Sequence, residues 1–172
     1  MKQRIIFWLI IISNPAFAQF PPLEISADQV QTIPSNTIDV SIRAGTNWQN
    51  ITEIQGTIIF DYNVVNEVQM IYWGLSNPLG AVFTDLGGGF LIFDWESLIS
   101  IGPSLSQDEI VFTLQFNVIG AVGDVSPVYF SSTPELMYWE NGIGWSGNNF
   151  TISDGSVSVI APDDVIFYDG FE

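Results

Sequence analysis

Asp94 and Glu96 stand two residues apart, so on a persisting strand their carboxylates share one face. Two carboxylates on one face are the minimal equipment for general acid and base in glycoside hydrolysis. The chain has no His and no Cys, which removes Ser-His-Asp triads, thiolate nucleophiles and ordinary zinc sites. Only carboxylates, hydroxyls and amides remain for chemistry. No cleft signal accompanies Asp94 and Glu96, and the pair reads as surface charge; the expectation is a protein that is not an enzyme. A second group is Glu53, Gln55 and Thr57, which alternate with Ile54, Gly56 and Ile58. If the apolar set faces a core, the polar set faces out on the other side of the pleat. A third group is Trp139 and Trp145, set among Asn141, Gly142, Gly144, Gly147, Asn148 and Asn149. Flat indole faces stack on sugar rings while Asn amides bond hydroxyls, so an exposed pair would suit a polysaccharide.

Metal chemistry has a thinner basis. Asp163, Asp164 and Asp169 cluster near the end of the chain, and Asp85 and Asp154 lie in turns. Calcium needs several converging oxygens, and no Asp-x-Asp-x-Asp-Gly loop is present. The reading is no cofactor, with a weak surface calcium site compatible with this charge density. Two sequons, at Asn50 and Asn149, are discounted for a bacterial chain.

The elements that must position these residues follow a period of two. Ile38–Arg43, Ile54–Phe60, Val111–Val118 and Val157–Val159 alternate apolar with polar residues, in runs rich in Val, Ile, Thr and aromatics. Further strands are expected at Leu23–Ala27, Val68–Trp73, Ala81–Asp85, Phe90–Trp95, Val128–Ser131, Leu136–Glu140 and Phe150–Ile152. Pro-Ser-Asn, Asn-Pro, Gly-Gly-Gly and Asp-Gly clusters punctuate them as turns. Strands at about ten-residue spacing predict an all-β, antiparallel β-sandwich over 20–160, of jelly-roll topology with about nine strands. One helical turn near Tyr62–Glu67 is the only helical candidate.

The two ends carry addresses. Lys2 and Arg4 precede the apolar run Ile5–Ile12, a break at Ser13-Asn14-Pro15, and small residues at Ala16 and Ala18. This order reads as a secretory signal peptide over 1–18, too short to span hydrocarbon. The chain is therefore expected to be secreted or at the cell surface, with no membrane insertion after cleavage. Beyond residue 18 one base, Arg43, faces 19 acids, a net charge of −18. Such a field repels phosphate backbones and anionic lipids, so nucleic acid is not an expected partner. With no cysteine, the core of an exported chain must hold without disulfides. Residues 161–172 form an acidic tail that resembles Asp-Gly-Phe-acid endings on exported proteins of Gram-negative bacteria.

The order of these blocks resembles cohesin domains. Ile51–Val65 is similar to the third cohesin strand and its following turn, although Tyr62 stands where that family usually has proline. Phe90–Trp95 and Leu105–Phe116 look like the central pair of strands, and Val128–Phe130 with Ile152–Val159 like the last two. The resemblance covers about 37–160. It implies a nine-stranded jelly-roll that binds a dockerin module through one flat face, built from the third, fifth, sixth and eighth strands, with calcium held by the dockerin. On that basis Glu53, Gln55 and Thr57 are expected recognition residues and a dockerin-like protein the expected partner. A polysaccharide bound by exposed Trp is the alternative, and a purely structural surface role a further one.

Overall fold

The computed structural model describes residues 21–75, 81–144 and 146–164; the expected signal peptide, Trp145 and the tail from 165 onward lie outside them. Thirteen strands run in chain order: β1 Leu23–Ala27, β2 Gln29–Thr32, β3 Thr37–Ala44, β4 Ile51–Phe60, β5 Val65–Trp73, β6 Val82–Gly87, β7 Phe90–Glu96, β8 Ile110–Val118, β9 Val125–Ser131, β10 Tyr138–Asn141, β11 Ser146–Gly147, β12 Phe150–Ser153 and β13 Gly155–Val159. One sheet has the order β12-β1-β3-β8-β5, and the other β11-β10-β4-β9-β13-β2, with β7 against β4 and β6 against β7. The expected sandwich is present. The expected helical turn is instead a tight turn, in which the Asp61 carbonyl accepts from the Val64 and Val65 amides.

Purely antiparallel pairing is corrected: both sheets are mixed. β1 pairs parallel with β12, and β2 pairs parallel with β13. The cause is a double sheet switch. The first strand breaks at Asp28 and passes from one sheet to the other, and the last does the same at Asp154. The two breaks meet where Gly155 leaves no room for a Cβ against the Asp28 carbonyl. Arg43 on β3 anchors this point with a bidentate pair to Asp28, Nε–Oδ1 2.7 Å and Nη2–Oδ2 3.0 Å.

The core lies between the sheets. Trp48, Trp95, Trp139, Phe93, Phe112 and Phe116 are its largest fully buried side chains. Burying several hundred Å² of aromatic surface at about 25 cal/mol per Å² supplies the stability that disulfides would otherwise provide. The aromatics interlock edge-to-face: Phe112 lies 5.3 Å from Trp73, 5.2 Å from Phe83 and 5.3 Å from Phe93.

Candidate functional site

β4 is the strand that gathers the candidate residues. It pairs along its length with β7 on one side; on the other it pairs with β10 over Ile51–Gln55 and with β9 over Thr57–Phe60. Its inward residues Ile54, Ile58 and Phe60 enter the core, so Glu53 and Gln55 point to the outer face. Register then sets their neighbours. Glu53 stands opposite Glu140 on β10 and opposite Glu96 on β7. One residue pair further along the inward-outward alternation, Gln55 stands between Tyr138 and Asp94, and Asp94 pairs with Val82 on β6.

The result is a row of three carboxylates, Glu140–Glu53–Glu96, crossing three neighbouring strands. Directly opposed Cβ atoms in such sheets lie about 5 Å apart, and like charges there repel. Partial burial and the fields of Glu140, Asp94 and Glu96 together push the Glu53 carboxyl above its ordinary range. Burial, with Glu96 and Glu135, does the same to Asp94. Arg43, the only base among the described residues, is occupied in the opposite sheet. Nothing cationic among those residues compensates this face.

At the end of the row a groove of about 440 Å³ opens, with Glu53, Glu96 and Glu140 on its floor and Leu98, Ile99 and Gly142 on its walls. Leu98, Ile99 and Ile101 are more than half exposed, as is Ile143 on the facing loop. The two loops touch through Gly142, whose missing Cβ admits the Ser100 carbonyl. Further along, Ile92, Val82, Leu86 and Phe90 extend the face as an apolar stretch.

Two expected site residues are corrected. Thr57 faces outward but is completely buried, because the segment joining β9 to β10 folds over it. Its Oγ1 accepts from the Glu135 amide at 3.0 Å and donates to the Glu135 carbonyl at 3.2 Å. The same segment takes up Gln55, whose Nε2 donates to Glu135 Oε1 at 3.0 Å and to the Leu136 carbonyl at 3.3 Å. Trp139 is only 1% exposed, so it is core and has no ring face for a sugar. Its indole N–H donates to the carbonyl and side-chain oxygens of Asn149, both at 3.3 Å. Asp94 and Glu96 do share the outer face with Glu53. Glu140, Glu135 and Tyr138 join the cluster although sequence reasoning passed over them; Tyr138 donates to Glu140 at 3.1 Å. Among the described residues no group of three acidic side chains is placed to hold a metal ion, and no helix is long and apolar enough to cross a membrane.

A pH dependence follows from the crowded carboxylates. A raised native pKa means that the folded state holds its protons more tightly than the unfolded chain. Stability contributed by Glu53 and Asp94 is therefore present below about pH 4 and falls as pH rises through their raised values. Glu53→Gln should stabilise the fold near pH 7 by roughly 0.5 kcal/mol, the small size reflecting solvent screening of a largely exposed group, and the gain should vanish by about pH 4. Thermal melts of the two proteins across this range measure it; a gain that grows on acidification would refute the assignment.

No protein-family model matches the chain, and no curated protein does. Solved structures match with confidence at low identity. The seventh type I cohesin of ScaB from Pseudobacteroides cellulosolvens aligns with a TM-score of 0.68 at 11% identity, covering 86% of this chain and 97% of that one. A chain from a type I cohesin–dockerin complex of Clostridium thermocellum aligns at 0.67 and 17% identity, covering 81% and 100%. A non-cellulosomal cohesin from the archaeon Archaeoglobus fulgidus aligns at 0.61 and 14% identity, covering 84% and 95%. The fold is that of cohesins.

Proposed function

We propose that this cohesin-like sandwich is a non-catalytic recognition module. It docks a protein partner of the dockerin kind on the outer face of β10, β4, β7 and β6, outside the cell. The observation that carries this reading is the face itself: an uncovered sheet surface with clustered carboxylates at one end and exposed aliphatics at the other. A binding face that mixes charge with exposed apolar side chains has the makeup of a protein interface. The similar structures, one of them from a cohesin–dockerin complex, add support. The amino-terminal 1–18 pattern supports export.

Carbohydrate binding loses ground because Trp139 is enclosed, which leaves that reading to Trp145 alone. Enzymatic use of Asp94 and Glu96 is also disfavoured on physical grounds. They lie on an open sheet face among further acids, whereas glycoside hydrolysis needs a pair held across a bound sugar.

The test is capture of partners from exported proteins of the source organism by the immobilised chain. The double charge reversal Glu53→Lys, Glu96→Lys is expected to weaken the captured complex 30-fold or more, since each reversal replaces attraction by repulsion at a desolvated contact. Asp39→Lys, on the opposite sheet, should change little. Equal capture by the wild type and the double variant would exclude this face.

A further inference from the structure

The carboxylates of the outer face lie in a row across strands, and this direction constrains what can meet them. Strands in a sheet are spaced about 4.8 Å apart, so Glu140, Glu53 and Glu96 occur at steps near 5 Å and span about 10 Å. Residues on one side of a single extended strand recur every 6.8 Å or so, which does not match. An α-helix rises 1.5 Å per residue, so positions i, i+3 or i+4, and i+7 lie on one face at steps of about 5 Å over a span near 10 Å. A helix laid across β10, β4 and β7 therefore offers three side chains in register with the three glutamates.

The sign of the partner follows from charge. Glu135 and Asp94 flank the row, and no base faces it from β4, β6, β7, β10 or the loops at 97–105 and 132–137. A second copy of this chain would set acid against acid. Leu98 and Ile99 on the groove wall, with Ile101 and Ile143 close by, supply an apolar strip along one side of the row.

We propose that this face takes a cationic amphipathic helix of a protein partner, lying across the strands with Lys or Arg at i, i+4 and i+7 against Glu140, Glu53 and Glu96, and aliphatic side chains against Leu98 and Ile99. This rests on the protein-docking reading above and specifies the partner's contacting element. It makes recognition electrostatic in part and therefore sensitive to salt.

The test uses the whole chain and three synthetic 18-residue helical peptides. The first carries Lys at i, i+4 and i+7 with Leu beside them; the second replaces each Lys by Glu; the third has the first peptide's composition with the Lys spacing scrambled around the helix. Titration calorimetry should show binding of the first peptide only. That binding should weaken about tenfold between 50 and 300 mM NaCl, and at least tenfold in the triple variant Glu53→Gln, Glu96→Gln, Glu140→Gln, whose fold is checked by its melting temperature. Replacing Leu98 and Ile99 by Ser should also weaken it, which pure charge attraction would not predict. Equal binding of the scrambled peptide, or no effect of the triple variant, would overturn the proposal. Binding of a chitosan oligomer in place of the peptide would overturn it as well. If a natural protein partner is captured in a Glu53-dependent way at unchanged strength in 300 mM NaCl and ignores the triple substitution to Gln, the docking face stands and the cationic helix falls.

Discussion

Trp139→Ala is expected to lower the unfolding free energy by roughly 3–5 kcal/mol, the usual range for emptying a buried indole site. The side chain is 1% exposed and points inward from β10, between Ile54 on β4 and Gly147 on β11. Its N–H is satisfied by Asn149, the residue that leads into β12. Truncation thus opens a cavity and leaves the Asn149 oxygens short of a donor at once, and the penalties add. Domains of this size hold about 5–15 kcal/mol in total, so the variant should sit near the edge of folding at 37 °C. Urea denaturation followed by tryptophan fluorescence measures the loss, and Trp139→Phe should recover more than half of it. A loss below 1 kcal/mol would show the indole to be at the surface and return it to the sugar-binding reading.

The Trp139 error has a definite physical source. Glycine and asparagine around it suggest an open loop, yet Tyr138-Trp139-Glu140-Asn141 alternates by period two, half-buried and buried in turn. Given Glu140 outward, the pleat alone sends Trp139 inward. Local composition was weighed above local periodicity, and periodicity describes the backbone. Most strands are legible for that reason. Leu23–Ala27 is recovered to the residue, and Thr37–Ala44 and Ile110–Val118 to within a residue or two of the expected runs. β2 is not legible, because Gln29-Val30-Gln31-Thr32 is an edge strand with little to bury. The parallel pairs escape too: Asp154-Gly155 looks like a reversing turn, and nothing local distinguishes it from a strand that continues straight into the opposite sheet.

The site is legible in a different proportion. Facing direction is a local property, so Glu53 and Gln55 on the outer side, and Asp94 with Glu96 on one face, follow from alternation. Which strands lie beside β4 is non-local. Glu140 is 87 positions from Glu53 in the chain, and only the β10–β4 register brings them together. For the same reason Thr57 misleads. Its direction is outward as expected, but a loop from 78 positions away covers it with two hydrogen bonds. Alternation tells which way a side chain points and says nothing of what folds back over it.

Phe112→Ala should cost about as much as the loss of Trp139, roughly 3–5 kcal/mol, but with a different pattern of damage. Phe112 on β8 is fully buried and touches rings from both sheets: Trp73 on β5, and Phe83 and Phe93 on β6 and β7. Each edge-to-face pair contributes about 0.5–1.5 kcal/mol beyond simple burial, so three are lost with one ring. The cavity opens under the two edge strands β5 and β6, which each pair with a single neighbour. β6 depends on this contact most, since Phe83 is its one inward-packed aromatic and the rest of the strand is exposed. Amide hydrogen exchange should therefore accelerate over Val82–Gly87 well before it does over β4, which has partners on both sides. Phe90→Ala, at a ring 38% exposed on the outer face, should cost about 1 kcal/mol or less and leave exchange in β6 nearly unchanged. Uniform acceleration in both variants would mean that the two sheets unfold as one unit. The apolar end of the outer face would then owe nothing to the aromatic cluster beneath it. The local pattern makes the cluster the support of that face, since it is Phe83 and Phe93 that hold β6 and β7 down while Val82 and Asp94 point the other way.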